Sequence, residues 1–444
     1  MASDATGVSD GGATGQGAVD QRAADGRGSG PGSVGRSLRY AKRSRRQKQD
    51  ADSHADGDGV LPPPIVDHEL VHDGQPALVE TQPALDELIE VLRSAGTFGY
   101  DSEFIGEHTY HPEVCVLQVA TASGVWLIDP LAEIDLSGFW ALIADASVVK
   151  IVHAGMQDLE PCPRLIDHPP RAVFDTQVAA GFAGLPYPAS LDKLVAQVAG
   201  ADLGHGLKFS NWNRRPLTPL QLAYAANDVR YLPLLHDRLV DRLRELGNIE
   251  RAGWACDEAF AAEAFVIDPL ARRFHGKGLS RLDGKQTAAL RGLRVWREGA
   301  AEVEDLPPRT LLPDWVVLAL AEALPAEPGD LKAVKGLPQP VQRVYGEALV
   351  EVVAEALAGP VPKPSKPMRP KSQAEKDQLG ALWRGINAHC AKQGVATQAI
   401  TNKSEVTKYW WLTRRGRPTD DMPLATGWRA ELLGEALTLP TMPG

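Results

Sequence analysis

Strand-like segments alternate with helical ones only as far as about residue 268, and beyond that point no strand pattern recurs. This change of period limits the available folds more than any other feature, because strands and helices bury apolar side chains at spacings of about 2 and 3.6 residues. TFGYDSEF, EVCVLQVAT, GVWLIDP, VVKIVHA and RAVFD read as strands with helical patterns between and after them, which means an α/β unit. From 285 to 357 the apolar spacing is helical, with Asp314 as a cap and P-P and K-G-L-P as turns. GPVPKPSKPMRPK reads as an extended, semi-rigid linker, and LGALWRGINAHCAKQGV and ATGWRAELLGEALTL beyond it are again helical. The first 62 residues, rich in Gly, Ser, Ala and Asp, hold almost no large apolar side chains; they cannot offset the entropy of ordering and are expected to stay disordered. The expected organisation is therefore a tail at 1–62, an α/β domain at 63–268, a helical domain at 269–358, a linker at 359–374 and a second helical domain at 375–444.

A chain of 444 residues with 43% apolar content has room for about three such cores. The net charge of −10 says less than its distribution. Residues 36–48 carry seven basic side chains and no acidic one, and residues 272–297 carry eight against Asp283 alone. No apolar run approaches the roughly 18 residues that span a bilayer, so no membrane partner is expected. The N-terminus lacks both a charged n-region and an apolar core, and Cys115, Cys162, Cys256 and Cys390 form no C-x-x-C pair. Both features lead to the expectation of a reducing, cytoplasmic setting without structural zinc. Nothing in the sequence identifies a protein partner.

Four acids and one tyrosine fall in three short segments whose periods aim them together. In GYDSEF, Asp101 and Glu103 stand two apart on a strand and project to one face. In HAGMQDLE the acid is Asp158. PLQLAYAANDVRYLPLLHDRL carries Leu220, Tyr224, Tyr231, Leu234 and Leu235 at helical spacing, so Tyr224 and Asp228 share a helical face. Carboxylates gathered within a few ångströms repel, and proton uptake or a bound cation must relieve them. An all-oxygen ligand set suits Mg2+ or Mn2+, and two such ions about 4 Å apart form the clamp used in phosphodiester hydrolysis. Tyr224 would then orient or deprotonate the attacking water. Each motif alone also reads as a solvated strand face or a surface pair; the conjunction inside apolar segments favours the cation site, since unpaired charge is costly to bury.

Together these segments resemble the three exonuclease motifs of the tyrosine-bearing branch of the DEDD superfamily, and within it the ribonuclease D family. HPEVCVLQVAT, KIVHAGMQDLE, VFDTQVAAGF and NWNRRPLTPLQLAYAANDVRYL extend the likeness from about residue 65 to 265. The resemblance implies a ribonuclease H-like fold and hydrolysis from the 3′ end of single-stranded RNA, such as that of tRNA precursors, to nucleoside 5′-monophosphates. It further implies that Asp101, Glu103 and Asp228 hold one divalent cation, that Asp101 and Asp158 hold a second, and that Tyr224 positions water. The text Ser210-Asn211-Trp212 departs from the family's S-D-W, which touches substrate contacts rather than the carboxylates. Residues 285–357 resemble the HRDC domain, whose implied role is nucleic-acid engagement, and GWRAELLG resembles a second module of that kind.

Lys208, Trp212, Arg214 and Arg215 form a cationic and aromatic stretch between the second and third motifs. Such a stretch suits phosphate contact and base stacking, although Trp212 also reads as a core residue pinning the loop and the cations as solvated. His153 lies five residues before Asp158, where it reads either as a substrate contact or as a buried histidine satisfied by the backbone. Two other functions stay open on the residues: a 3′-5′ DNA exonuclease and a binding scaffold without catalysis. No G-x-x-x-x-G-K-[ST] stretch is present, which separates the chain from helicase-fused exonucleases.

Overall fold

A computed structural model describes residues 34, 64–204, 210–275, 278–360 and 368–440. The tail apart from residue 34, its basic stretch, the middle of the Pro- and Lys-rich linker and Lys208 lie outside the described residues.

One six-stranded mixed sheet organises the first half of the chain. Its strands are β1 (Ala77–Val79), β2 (Thr97–Ile105), β3 (Glu113–Thr121), β4 (Gly124–Ile128), β5 (Val149–Val152) and β6 (Val173–Asp175), in the spatial order β1-β4-β3-β2-β5-β6. β2, β3 and β4 pair antiparallel, whereas β5 joins β2, and β6 joins β5, in parallel register after helical crossovers. The alternation within β2 decides the layering. Phe98 and Tyr100 enter the core covered by α1 (Gln82–Ala95) and α2 (Ser137–Ile143), where Leu85, Leu92, Phe139 and Trp140 are fully buried. Asp101 and Glu103 take the opposite face. Each large apolar side chain buried in that core contributes about 1.5–3 kcal/mol, so a one-residue slip that turned the acids inward would be heavily penalised.

The crossover after β5 contains α3 (Met156–Leu159) and α4 (Pro161–Ile166), and α5 (Thr176–Phe182) and α6 (Leu191–Val198) follow β6. The periodic stretch that reads as one helix is divided into α7 (Pro219–Arg230) and α8 (Leu232–Glu245). Pro233 explains the break at Tyr231, because proline supplies no N–H to a continuing helix. α7 and α8 cover the acid-bearing face of the sheet closely. A Cβ on Gly99 would come within 2.9 Å of the Leu232 Cβ and 3.0 Å of the Val229 carbonyl, so only glycine lets the junction sit against β2.

After α9 (Ile249–Ala259) the described residues are helical: α10 (Gly284–Val303), α11 (Pro308–Leu311), α12 (Asp314–Ala323) and α13 (Gln339–Ala358), then α14 (Gln373–Lys392), α15 (Thr397–Ile400), α16 (Lys403–Thr413) and α17 (Gly427–Leu433). α10 to α13 enclose a core of their own, built on Leu293, Leu312, Val316, Leu320 and Leu349. That module meets the sheet domain at the loop after β2, where the Tyr110 hydroxyl donates to Glu298 at 3.0 Å and its amide donates to Asp305 at 3.1 Å. The last module behaves differently: Leu382, Ile386, Val406 and Trp410 belong to the same apolar cluster as Phe182, Leu239 and Leu243 of the sheet domain. The wholly buried Asn248 stitches the two together, donating to the carbonyls of Phe182 at 3.0 Å and Gln393 at 2.9 Å. Asp314 is the first residue of α12 rather than its cap; its carboxylate is taken by Arg297 at 2.8 Å and Arg309 at 3.1 Å. Among the described residues no helix is long and apolar enough to cross a membrane.

Candidate active site

Asp101, Glu103, Tyr224 and Asp228 line one cleft of about 190 Å³ together with Tyr100, His153, Leu191 and Leu232, whereas Asp158 is not part of that lining. β2 delivers the first two acids. α7 delivers the tyrosine and the last acid, and its start is fixed by a reciprocal cap in which the Gln221 N–H donates to the Thr218 hydroxyl at 3.2 Å and the Thr218 N–H to Gln221 Oε1 at 3.0 Å. Such caps contribute about 1 kcal/mol. Gln221 also donates to the Ser210 hydroxyl at 2.8 Å, tying the preceding loop to the helix that carries Tyr224.

Asp158 reaches the site from α3. The turn ahead of it is held by Asp175, whose carboxylate accepts from the amides of Ala154 at 3.1 Å and Gly155 at 3.2 Å while also capping α5. A Cβ on Gly155 would lie 2.6 Å from the Val152 Cβ, which is why the turn carries glycine. The buried Asp158 carboxylate accepts from the Ser102 hydroxyl at 2.7 Å.

Electrostatics set this cleft apart. Burial raises the proton affinity of Asp101 well above the carboxylate range, and Asp158, Asp228 and Glu103 add to it in that order. Glu103 is pushed up to about 8, first by burial and then by Asp228 and Asp158. Asp228 rises to about 7 through burial, against the lowering effect of its hydrogen bond from Tyr224. Asp158 is raised by burial as well, with the Ser102 hydrogen bond opposing the shift. Tyr224 is raised by burial and then by Asp228, Glu103 and Asp101, so its hydroxyl stays protonated across the physiological range. Among the described residues the cleft lining holds no lysine or arginine. A wider concavity of about 540 Å³ on the last module mixes Lys408 and Arg417 with Asp420 and Asp421 and lacks this single-sign field.

The donor set is all oxygen, and every acid in it binds protons more tightly than usual, so hard divalent cations fit its chemistry. Among the described residues no three acids, histidines or cysteines are drawn together into a closed coordination sphere. The amide of Gln118, directly opposite Asp101 across β2 and β3, is wholly buried with neither its oxygen nor its nitrogen partnered among the described residues. A buried orphan amide costs about 1–3 kcal/mol, so the sheet beside Asp101 is a place where stability is not optimised.

Trp212 is 4% exposed and packs with Cys115, Val116, Leu127 and Ala225, so it pins the loop and offers no face for a base. The Arg215 guanidinium is consumed by Asp129 at 2.5 and 2.6 Å and by the carbonyls of Cys115 and Trp212, each at 2.7 Å. For Trp212 these contacts match the reading of a core residue that pins the loop, and for Arg215 they give the guanidinium a structural role. His153 lies at the cleft but has Nε2 3.0 Å from the Ala189 carbonyl and Nδ1 2.9 Å from the Thr176 hydroxyl. Burial lowers its proton affinity, in keeping with an internally satisfied ring. Ser102 and Gln118 were not singled out from the sequence, although a polar residue inside each apolar strand was the available signal.

Residues 76–244 match the family described as 3′-5′ exonuclease, and residues 286–353 match the HRDC domain. A ribonuclease D of Gluconacetobacter diazotrophicus is 33% identical over 373 residues, spanning 82% of this chain and 92% of the relative. A ribonuclease D of Acidiphilium cryptum is 34% identical over 379 residues, spanning 82% and 93%. Among solved structures, Escherichia coli RNase D, described as an exoribonuclease involved in structured RNA processing, superimposes with a TM-score of 0.69 at 26% identity, covering 82% of this chain and 98% of that one. The fold, the exonuclease and HRDC matches and the near full-length relatives agree: the chain belongs to the ribonuclease D family of metal-dependent 3′-5′ exoribonucleases.

Proposed function

We propose that this exoribonuclease trims single-stranded RNA 3′ ends, those of tRNA precursors among them, with Asp101, Glu103, Asp158, Tyr224 and Asp228 as its catalytic group. The observation that carries the assignment is a cleft lined by the acids of β2 and α7, each of which also feels the charge of Asp158 on α3, with no lysine or arginine among the described lining residues. Asp101, Glu103 and Asp228 would hold one Mg2+ or Mn2+ ion, and Asp101 and Asp158 a second. When bound, such ions stabilise charge on the phosphodiester and lower the pKa of water.

The protein's own part is positioning. The Tyr224 hydroxyl acts on Asp228 one helical turn away, lowering that acid's proton affinity, and its oxygen can accept a hydrogen bond from water. Because burial keeps that phenol protonated, the geometry supports orientation of the water rather than its deprotonation by Tyr224. Trp212 and Arg215 are engaged inside the fold, so their part is to hold the loop between the second and third motifs. The four cysteines are buried and free, which agrees with a reducing, cytoplasmic setting.

The test is a matched set of 5′-labelled oligonucleotides, RNA and DNA, with free or 3′-blocked ends, incubated with Mg2+ or Mn2+. A ladder shortening from the free RNA 3′ end, with release of 5′-monophosphates, is the expected result. Cleavage of 3′-blocked RNA, or preference for the DNA strand, would overturn the substrate assignment.

A further inference from the structure

β2 outruns its parallel neighbour. The pairing with β5 ends at Gly99 opposite Ile151, yet β2 continues to Ile105. Along that edge the backbone amides have no strand beside them, and buried amides must find acceptors elsewhere. α3 supplies them. Asp158 Oδ1 accepts from the Ser102 amide at 3.2 Å and from the Ser102 hydroxyl at 2.7 Å, and the Tyr100 hydroxyl donates to the Asp158 carbonyl at 2.7 Å.

The residues that alternate with Asp101 and Glu103 therefore grip the third acid. Tyr100, Ser102 and Asp158 are 1%, 6% and 8% exposed, so water competes little for these bonds. Both donations from Ser102 fall on the same carboxylate oxygen. One of them, the amide, is available from any residue at that position; the shorter bond depends on the hydroxyl.

We infer that Ser102 is a positioning residue, whose hydroxyl fixes the rotation of the Asp158 carboxylate so that Oδ2 is presented to a cation shared with Asp101. The inference rests on the reading of Asp158 as a cation ligand. Partners that orient a ligand in this way typically govern metal affinity by about 10- to 100-fold. A satisfied core hydroxyl with no such role would govern stability alone.

Two isosteric variants separate these roles. S102T keeps the hydroxyl; S102V has nearly the shape of threonine without it, and both branched side chains suit a strand. Mn2+ binding to the full chain, followed by electron paramagnetic resonance of free Mn2+, reads affinity without turnover. S102T is expected to bind within about twofold of the parent, whereas S102V weakens one class of site by about 10- to 100-fold. On a single-stranded RNA, S102V should lose kcat with little change in KM, and excess Mn2+ should restore much of the rate. D158N should weaken the same class of site, and S102V/D158N should bind no worse than D158N.

S102V that binds Mn2+ as S102T does, while D158N does not, overturns the positioning role alone. D158N that binds Mn2+ like the parent overturns the ligand reading and the positioning role with it. Should S102V fail to fold, S102A removes the hydroxyl without added bulk and carries the same comparison.

Discussion

Two regions of this molecule bury carboxylates, and they treat them in opposite ways. In the HRDC module Asp314 is 6% exposed and is paired with Arg297 and Arg309, which together with the amide of His275 hold its carboxyl below the ordinary range despite burial. In the cleft, the buried Asp158 and the half-buried Asp101, Glu103 and Asp228 stand near one another, and each is raised. The first arrangement is solved within the chain. The second is left for something outside it to solve, and that difference separates a structural charge from a functional one.

The contrast can be broken most forcefully at Asp101. Replacing it with Asn is expected to lower kcat on RNA at least about a thousandfold, equivalent to roughly 4 kcal/mol of barrier. The same change removes one of the mutually repelling charges, so chelator-treated D101N should melt no lower than the parent. D314N should do the reverse: it strands Arg297 in a buried site and should cost about 3 kcal/mol of stability, seen in denaturant titration, while activity per folded molecule is retained. A cleft acid that proved stabilising, or an Asp314 that proved dispensable, would erase the distinction.

Tyr224 sharpens the comparison on a finer scale. Y224F keeps the ring against Trp212, whose centroid lies 6.1 Å away, and removes only the hydroxyl. A fall in kcat of about 100-fold with unchanged Mn2+ binding is expected, measured by single-turnover cleavage. Intact activity in Y224F would remove the tyrosine from the mechanism.

The smallest effect is a matter of sign. A carboxyl raised in the native state holds extra protons from the ordinary range near 4 up to its native value, so native stability falls as pH rises through that window. With Glu103 near 8 and Asp228 near 7, chelator-treated protein should lose melting temperature, by roughly 5 °C or less, between pH 5.5 and 8. Asp314 runs the other way: its lowered value gives stability present above about pH 4 and lost as pH falls below it. D314N should therefore flatten the acid limb of a stability profile, and D228N the neutral limb.

Much of the site was legible because its logic is local. Period 2 placed Asp101 with Glu103, and a one-turn spacing placed Tyr224 with Asp228. What was not legible depends on partners far along the chain. Arg215 looks available for phosphate until Asp129, 86 residues earlier, is seen to hold it. Trp212 is aromatic in a loop in either role, and only its packing on Leu127 and Ala225 decides between them. The last helical segment shows an apolar face in sequence, but nothing local says that this face joins the core of the sheet domain while α10 to α13 keep their own. β1 is three residues long with one buried, too short for any period to register.

The central claim, that this cluster of proton-holding acids is a cation site, predicts an exchange of protons for metal. Calorimetric titration of Mn2+ into chelator-freed protein at pH 6.5, repeated in buffers of different ionisation enthalpy, counts the protons released. At least one proton per chain is expected to leave at pH 6.5 and fewer at pH 9, with the release lost in D101N. Tight Mn2+ binding at pH 6.5 without proton release, or binding unchanged by D101N, would contradict it.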